Sequence, residues 1–273
     1  MRNFLKRIAR QPLVVRVTDG LRIRGLLRGV YRYCFAPKGG MHQISVGGRL
    51  AQFHIYSETT VQALDSLGGE RGMLEFLMGK LTAGDCCYDI GAATGLYTVF
   101  LAQVVGEEGH VVSFEPELDS YGRLRENLKL NNLGNVQPFR LALSDREGNA
   151  TLQIADVAGA GRIVDASDRG SALGHMEHIK VVHGDRFIES HGLPQPRALK
   201  IDVEGHEYSV LQGLNRTLSQ PSCKLLCCEI HPGFLPQTLR PEDVLALLRS
   251  MGFCEIQIHP RGGDLHAYAF KPN

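Results

Sequence analysis

From residue 86 onward, short apolar runs alternate with stretches whose apolar residues recur at helical spacing. Cys86–Ile90 is apolar and stops at Gly91, and Leu96–Val104 has the spacing of a buried helix face, which predicts strand, tight turn, helix. The rhythm repeats. His110–Phe114 reads as a strand ending at Glu115-Pro116, and Leu118–Leu130 as a helix stopped by Asn131, Asn132 and Gly134. Val136–Leu143 reads as a third strand, ending at Ser144-Asp145. Further on come the strand Ala198–Val203, the helix Tyr208–Leu218 and the strand Lys224–Ile230, which ends at His231-Pro232. Pro241–Met251 is a helix with proline in its favoured first turn. Cys254–Ile258 and Leu265–Phe270, joined across Gly262-Gly263, predict a closing antiparallel pair. Alternating strands and helices imply an α/β fold with a mostly parallel sheet covered on both faces.

Two regions leave this rhythm. Ala150–Ile154 and Ile179–His183 look like strands separated by a Gly-, Ala- and Ser-rich loop, Asp156–Gly174. A long irregular loop inside a compact domain is usually functional or mobile. Asp185 reads as the cap of a short helix, Arg186–Ser190. At the other end, His42–Ile55 alternates around Gly47-Gly48 as a β-hairpin does, and Val61–Leu81 has helical spacing. The expected division is a basic extension, 1–57, with helix and hairpin, and a main domain, 58–273.

Charge sharpens that division. The net charge is +1, yet residues 1–40 carry +9, so the remainder carries −8. Leu21–Tyr33 has the pattern of a basic amphipathic helix, suited to weak peripheral contact with a membrane surface or an acidic partner, or to capping the domain with a solvated face. The acidic remainder and the lack of tryptophan argue against nucleic acid as partner. There are seven cysteines, no Cys-x-x-Cys, and two adjacent pairs, Cys86-Cys87 and Cys227-Cys228, in strand-like runs. Strand neighbours face opposite ways, so neither pair clamps a metal, and buried reduced thiols in a cytoplasmic protein are expected. No run is long and apolar enough to span a membrane, and Arg7, Arg10 and Arg16 interrupt any secretory leader.

The turn after the first strand reads Asp89-x-Gly91-x-x-x-Gly95, with Ala92 inside it. A nicotinamide dinucleotide enzyme would carry Gly-x-Gly-x-x-Gly there. Glycines let a ligand approach the backbone closely, and a carboxylate at the mouth suits a cofactor with positive charge, such as S-adenosylmethionine (SAM). Ligands of open α/β sheets lie outside the carboxyl ends of the strands. Those ends carry Glu115, placed to take a ribose diol through two charge-assisted hydrogen bonds, and Ser144 with Asp145, placed to accept from an adenine amino group.

The stretch Leu199-Lys-Ile-Asp-Val-Glu-Gly-His-Glu207 sets Lys200, Asp202 and Glu204 on one strand face. Such charges are costly to bury unless paired or used, so they form either a Lys200–Asp202 ion pair or part of a site. His206 falls near a helix N-terminus, which favours a neutral imidazole able to act as base.

Tyr88–Thr98 and Leu199–Tyr208, with Phe114-Glu-Pro-Glu117, Ala142-Leu-Ser-Asp145 and Glu229-Ile-His231, resemble the FkbM family of SAM-dependent methyltransferases over residues 58–271. The resemblance implies a class I (Rossmann-like) methyltransferase fold, a seven-stranded mostly parallel sheet with a closing antiparallel strand. It also implies O-methylation of a small-molecule or carbohydrate hydroxyl. Gly170-Ser-Ala-Leu173 is similar to the family's Gly-Ser-Ser-Leu, with Ala172 in place of the second serine. An alcohol needs a group to take its proton. Asp202 is the first candidate, His231 the second, and Glu204 and His206 follow. Asp202, Glu204 and His231 are also suited to a hard divalent cation, but the signal is equally met without one and no metal is assigned. A SAM-binding module without catalysis would not need the polar cluster at 202–206.

Overall fold

The computed structural model describes residues 40–154, 161–164 and 175–272. The basic helix expected at Leu21–Tyr33 and the Gly170–Leu173 stretch lie outside the described residues. Two compact units are distinguished.

The smaller unit holds residues 40–42 and 53–68 of the described chain. Its helix α1, Glu58–Ser66, starts at Ser57, whose hydroxyl accepts from the Thr60 N–H, and ends at Leu67 with a left-handed φ of 51°. His42 Nε2 and Asp65 Oδ1 lie 2.6 Å apart. The single helix expected over Val61–Leu81 is therefore two: α2 runs Arg71–Lys80. Gly68 and Gly69 between them have φ of 57° and 86°, which no continuous helix tolerates. The hairpin expected at His42–Ile55 is present as β1, Gly40–Val46, and β2, Arg49–Ile55, and its tip, 43–52, belongs to the larger unit.

The larger unit is built on one seven-stranded sheet. Its first strands are β3, Cys86–Ile90, β4, His110–Phe114, and β5, Val136–Phe139. Helices α3, Leu96–Val105, and α4, Leu118–Leu130, connect them. A second sheet follows: β6, Ala142–Ser144, β7, Gly148–Ile154, β8, Gly161–Val164, and β9, His175–His183. After α5, Gly184–Ser190, the chain returns to the large sheet with β10, Ala198–Ile201. It then passes through α6, Glu207–Gly213, and α7, Asn215–Ser219, to β11, Leu225–Ile230. Helix α8, Pro241–Ser250, leads to β12, Glu255–Arg261, and β13, Asp264–Phe270.

The order is β12-β13-β11-β10-β3-β4-β5, and β13 runs antiparallel to both its neighbours. This is the class I sheet that the resemblance implies: strand order reverses beside β3, which opens a crevice at its carboxyl end. The strands are apolar along their length because both faces are covered. All of β3, β10 and β11 is buried, including both cysteine pairs, whose thiols burial pushes up.

Three expectations need correction. The strand expected over Val136–Leu143 breaks at Arg140: β5 stays in the large sheet as its edge, where Pro138 is tolerated, and β6 turns into the second sheet. Ser144-Asp145 thus ends a strand of the smaller sheet. The loop expected over Asp156–Gly174 contains β8, paired with β7. The helix expected over Tyr208–Leu218 is divided at Leu214 between α6 and α7. Gly213, the last residue of α6, packs on the Ser144 carbonyl, where an added Cβ would come within 1.8 Å of the oxygen.

The tightest constraint falls on Gly91. Its φ is 78°, and an added Cβ would lie 1.8 Å from the Asp202 carbonyl oxygen. Gly91→Ala is expected to cost about 3 kcal/mol or more, from left-handed strain of about 1–3 kcal/mol plus backbone displacement. Gly72→Ala, in α2 with nothing within 4 Å, is expected to be neutral or to stabilise by up to about 1 kcal/mol. Urea unfolding of the two variants measures this, and equal midpoints would refute the close approach.

Candidate functional site

The crevice outside β3, β4 and β10 is lined by Gly91, Glu115, Asp202, Glu204 and His206, among others. Leu152 and Ile163 of the second sheet form part of its wall. The mix of apolar wall with few polar groups suits a small-molecule cofactor.

The glycine turn is held from both sides. The N–H groups of Gly91 and Ala92 both donate to the Phe114 carbonyl at 3.0 Å, so they brace the turn against β4. Gly95, with φ of 91°, lies against Leu124 of α4 and starts α3. Asp89 is fully buried: Thr98 donates to its Oδ2 at 2.5 Å, and its Oδ1 faces the Lys200 ammonium at 3.6 Å. The carboxylate expected at the mouth therefore serves the architecture beneath it.

Lys200 is the hub of that architecture. Its Nζ donates to the Gly91 carbonyl at 2.8 Å and lies 3.3 Å from Asp202 Oδ2. Burial alone would push this ammonium down, but Asp202, Asp89 and Glu70 outweigh it and hold it above its ordinary value. Both readings of the strand are thus combined, since Asp202 pairs with Lys200 and also lines the crevice. The strand stops at Ile201, and the chain turns at Glu204-Gly205, with Glu204 at φ 49°.

Glu115 ends β4 inside the crevice. Its Oε2 accepts from the Ala93 N–H at 2.7 Å and its Oε1 from the Glu117 N–H at 2.8 Å. Burial pushes it up to about 7, against the lowering by those two N–H groups. A carboxylate has about four acceptor positions, so each oxygen retains capacity for a diol. Ser144 is buried with its Oγ 3.1 Å from His206 Nε2, and it donates to Asp145 Oδ1 at 2.9 Å. Asp145 itself is exposed. His206 thus ties the second sheet, through Ser144, to the crevice that Asp202 and Glu204 also line.

The other three catalytic candidates converge. His231 Nε2 lies 3.7 Å from Asp202 Oδ1 and 3.6 Å from Glu204 Oε2. Its Nδ1 is 2.7 Å from Oε1 of Glu207, a fully buried carboxylate that also accepts from the Gly205 N–H. Burial would lower His231, but Glu207, Asp202 and Glu204 raise it to about 9, so the imidazole is protonated near neutrality. Burial pushes Glu204 up to about 6, with His231 opposing.

A second layer was not singled out from the sequence. Glu229 is beside Arg261 at 2.8 Å and His266 at 3.4 Å, Arg261 also pairs with Glu70, and Glu70 accepts from the Tyr97 hydroxyl at 2.7 Å. The two-residue spacing from His231 marks Glu229 as a same-face neighbour, and Glu207 ends the charged stretch. Glu70, Arg261 and His266 arrive from a helix start and a hairpin, where no local pattern marks them. Donor atoms of Asp202, Glu229 and His231 lie within 4.8 Å of one another, close enough for an ion, but Lys200 and Arg261 already balance the two carboxylates.

The profile described as the methyltransferase FkbM domain matches residues 89–254. Hexuronic acid methyltransferase AglP of Haloferax volcanii is 32% identical over 203 residues, covering 74% of this chain and 77% of that protein. Among solved structures, an rRNA methylase of Streptococcus thermophilus aligns with a TM-score of 0.46 at 13% identity, over 74% of this chain and 96% of that one. A SAM-dependent O-methyltransferase of Thermotoga maritima aligns with a TM-score of 0.45 at 11% identity, over 85% and 78%.

The elevated His231 gives a direct test. Its folded-state value lies above the ordinary one, so its contribution to stability is complete below about 6.5 and is lost as pH rises through about 9. Side-chain NMR should find the ring titrating near 9, and Glu207→Gln should lower it. A ring that titrates at its ordinary value in both proteins would refute the buried pair.

Proposed function

We propose, for a chain that belongs to the FkbM methyltransferase family, that it transfers the methyl group of SAM to a hydroxyl of a sugar or other small-molecule acceptor. The observation that carries this reading is one crevice that brings two sets of groups together. Gly91 and Glu115 line it beside Asp202 and Glu204, and His231 lies 3.7 and 3.6 Å from those two carboxylates.

When bound, SAM supplies a methyl group already activated by a sulfonium. Glu115 takes the ribose diol through its remaining acceptor positions. The turn from Gly91 to Gly95 admits the cofactor close to the backbone. Asp202 and Glu204 beside that turn favour the cationic centre. Asp202 accepts the proton of the acceptor hydroxyl, because His231 already holds a proton near neutrality. Imidazolium at His231 offsets the charge of Asp202 and Glu204 and is itself oriented by Glu207. The rest of the acceleration comes from alignment of hydroxyl and methyl.

The sugar class is supported by the relative that acts on hexuronic acid. Hexuronic acid offers both hydroxyls and a carboxylate as acceptors. The acidic surroundings of Asp202 disfavour a second carboxylate beside the methyl, which supports the hydroxyl. Alkaline treatment separates the two products, since a methyl ester hydrolyses and a methyl ether does not.

Calorimetry with SAM should detect binding to the wild type, and Glu115→Ala should weaken it by about 1.5–3 kcal/mol. Asp202→Asn and His231→Ala should retain near-normal SAM affinity and lose about 10²–10⁴-fold in turnover. Turnover should also fall on the alkaline side as His231 releases its proton near 9. No SAM binding would refute the cofactor, and an Asp202→Asn variant within a few-fold of wild type would remove Asp202 as base.

A further inference from the structure

We infer that Phe234 and Arg162 form the acceptor-binding rim of this site and select an acidic sugar, held by its carboxylate. The inference rests on the methyltransferase reading and names the acceptor class that reading leaves open.

Phe234 follows β11 in a turn in which the N–H groups of Phe234 and Leu235 both donate to the His231 carbonyl, at 2.9 and 3.1 Å. Gly205 packs against the Phe234 carbonyl so closely that an added Cβ would meet its oxygen at 2.4 Å. Two segments of the catalytic cluster thus fix where this ring sits. The ring is nevertheless 48% exposed, although it lies nearly parallel to the His231 imidazole, 24° apart with centroids at 6.2 Å. An aromatic ring left open beside reacting groups offers an apolar floor for the C–H face of a pyranose.

Arg162 reaches the same ring from β8. Gly161 and Ile163 line the cofactor crevice, so alternation places Arg162 on the other face of the strand. There its Nε donates to Gln153 Oε1 at 3.2 Å, and its guanidinium carbon lies 5.4 Å from the Phe234 centroid. Among the described residues no carboxylate pairs with Arg162, whereas Arg140, Arg216 and Arg261 each pair with a glutamate. The terminal nitrogens of Arg162 retain N–H donors in the fork geometry that matches a carboxylate.

Among the described residues this guanidinium lacks a carboxylate partner, at the edge of a site whose floor carries Asp202 and Glu204. An anionic acceptor entering such a site is repelled by the floor and held at the rim. Its carboxylate therefore stays on Arg162, its C–H face rests on Phe234, and a hydroxyl on the far side of the ring turns toward Asp202. The carboxylate remains unmethylated.

The test is calorimetric titration of methyl glucuronoside and methyl glucoside into the full chain, with and without S-adenosylhomocysteine. Wild type should prefer the glucuronoside by roughly tenfold or more, in line with a charge-assisted pair. The preference should shrink at high salt. Arg162→Ala should abolish it, and Phe234→Ala should weaken both sugars alike. Equal affinities in wild type, binding of neither sugar, or a preference that survives Arg162→Ala would overturn the inference. Failure of the cofactor reading appears separately, as the absence of S-adenosylhomocysteine binding in the same samples, and the two sugar titrations still decide whether the rim selects a carboxylate.

Discussion

The buried ammonium of Lys200 is the contact on which the rest of the site depends. It joins β10 to β3 through Asp89, caps the glycine turn through the Gly91 carbonyl, and holds Asp202 at the crevice wall. A buried ion group of this kind is weak evidence for stability, because desolvation opposes the attraction. What it supplies here is placement. The Gly91 turn and the Asp202 turn are pressed together so closely that the glycine admits no side chain. One cation thus sets the distance between the glycine turn and the Asp202 carboxylate.

The charge balance around that cation is graded. Beneath the crevice, Asp89 and Glu70 answer Lys200 and Arg261 and are spent on structure. At the wall, Asp202 and Glu204 are partly open and face the His231 imidazole at 3.7 and 3.6 Å. Further out, carboxylates give way to Arg162 and the Phe234 ring. Carboxyl groups of one kind therefore behave differently according to depth, which is how burial sorts structural from reactive groups.

Much of this was legible in the chain. Apolar runs in period with helices identified the layers, and the residues just after each run identified the strand ends that carry Glu115, Asp202 and His231. The break at Arg140 was not legible, since nothing local distinguishes a strand that changes sheets from one that continues. Pro138 was the available hint, because proline is confined to strand edges. Asp89 was expected at the mouth, because register alone cannot tell an exposed strand end from one covered by Lys200 and Thr98. Arg261 and His266 were invisible because cross-strand register brings them to Glu229, and register is a property of the sheet.

The reversed direction of β13 has a consequence for how the site comes into being. Because β13 starts at the carboxyl edge of β11, Leu265 pairs with Ile230 and the hairpin delivers Arg261 and His266 beside Glu229. Glu70 and Glu229 then wait for the last segment of the chain to supply their counter-charges. A chain emerging from the ribosome carries these carboxylates solvated and mutually repelling until the C-terminal hairpin docks. The pairing of Glu70 with Arg261 spans most of the domain, so this edge closes late, at the pace of long-range contacts. A chain truncated before the hairpin would keep the cofactor half of its sheet and lack the cations that hold the other half shut.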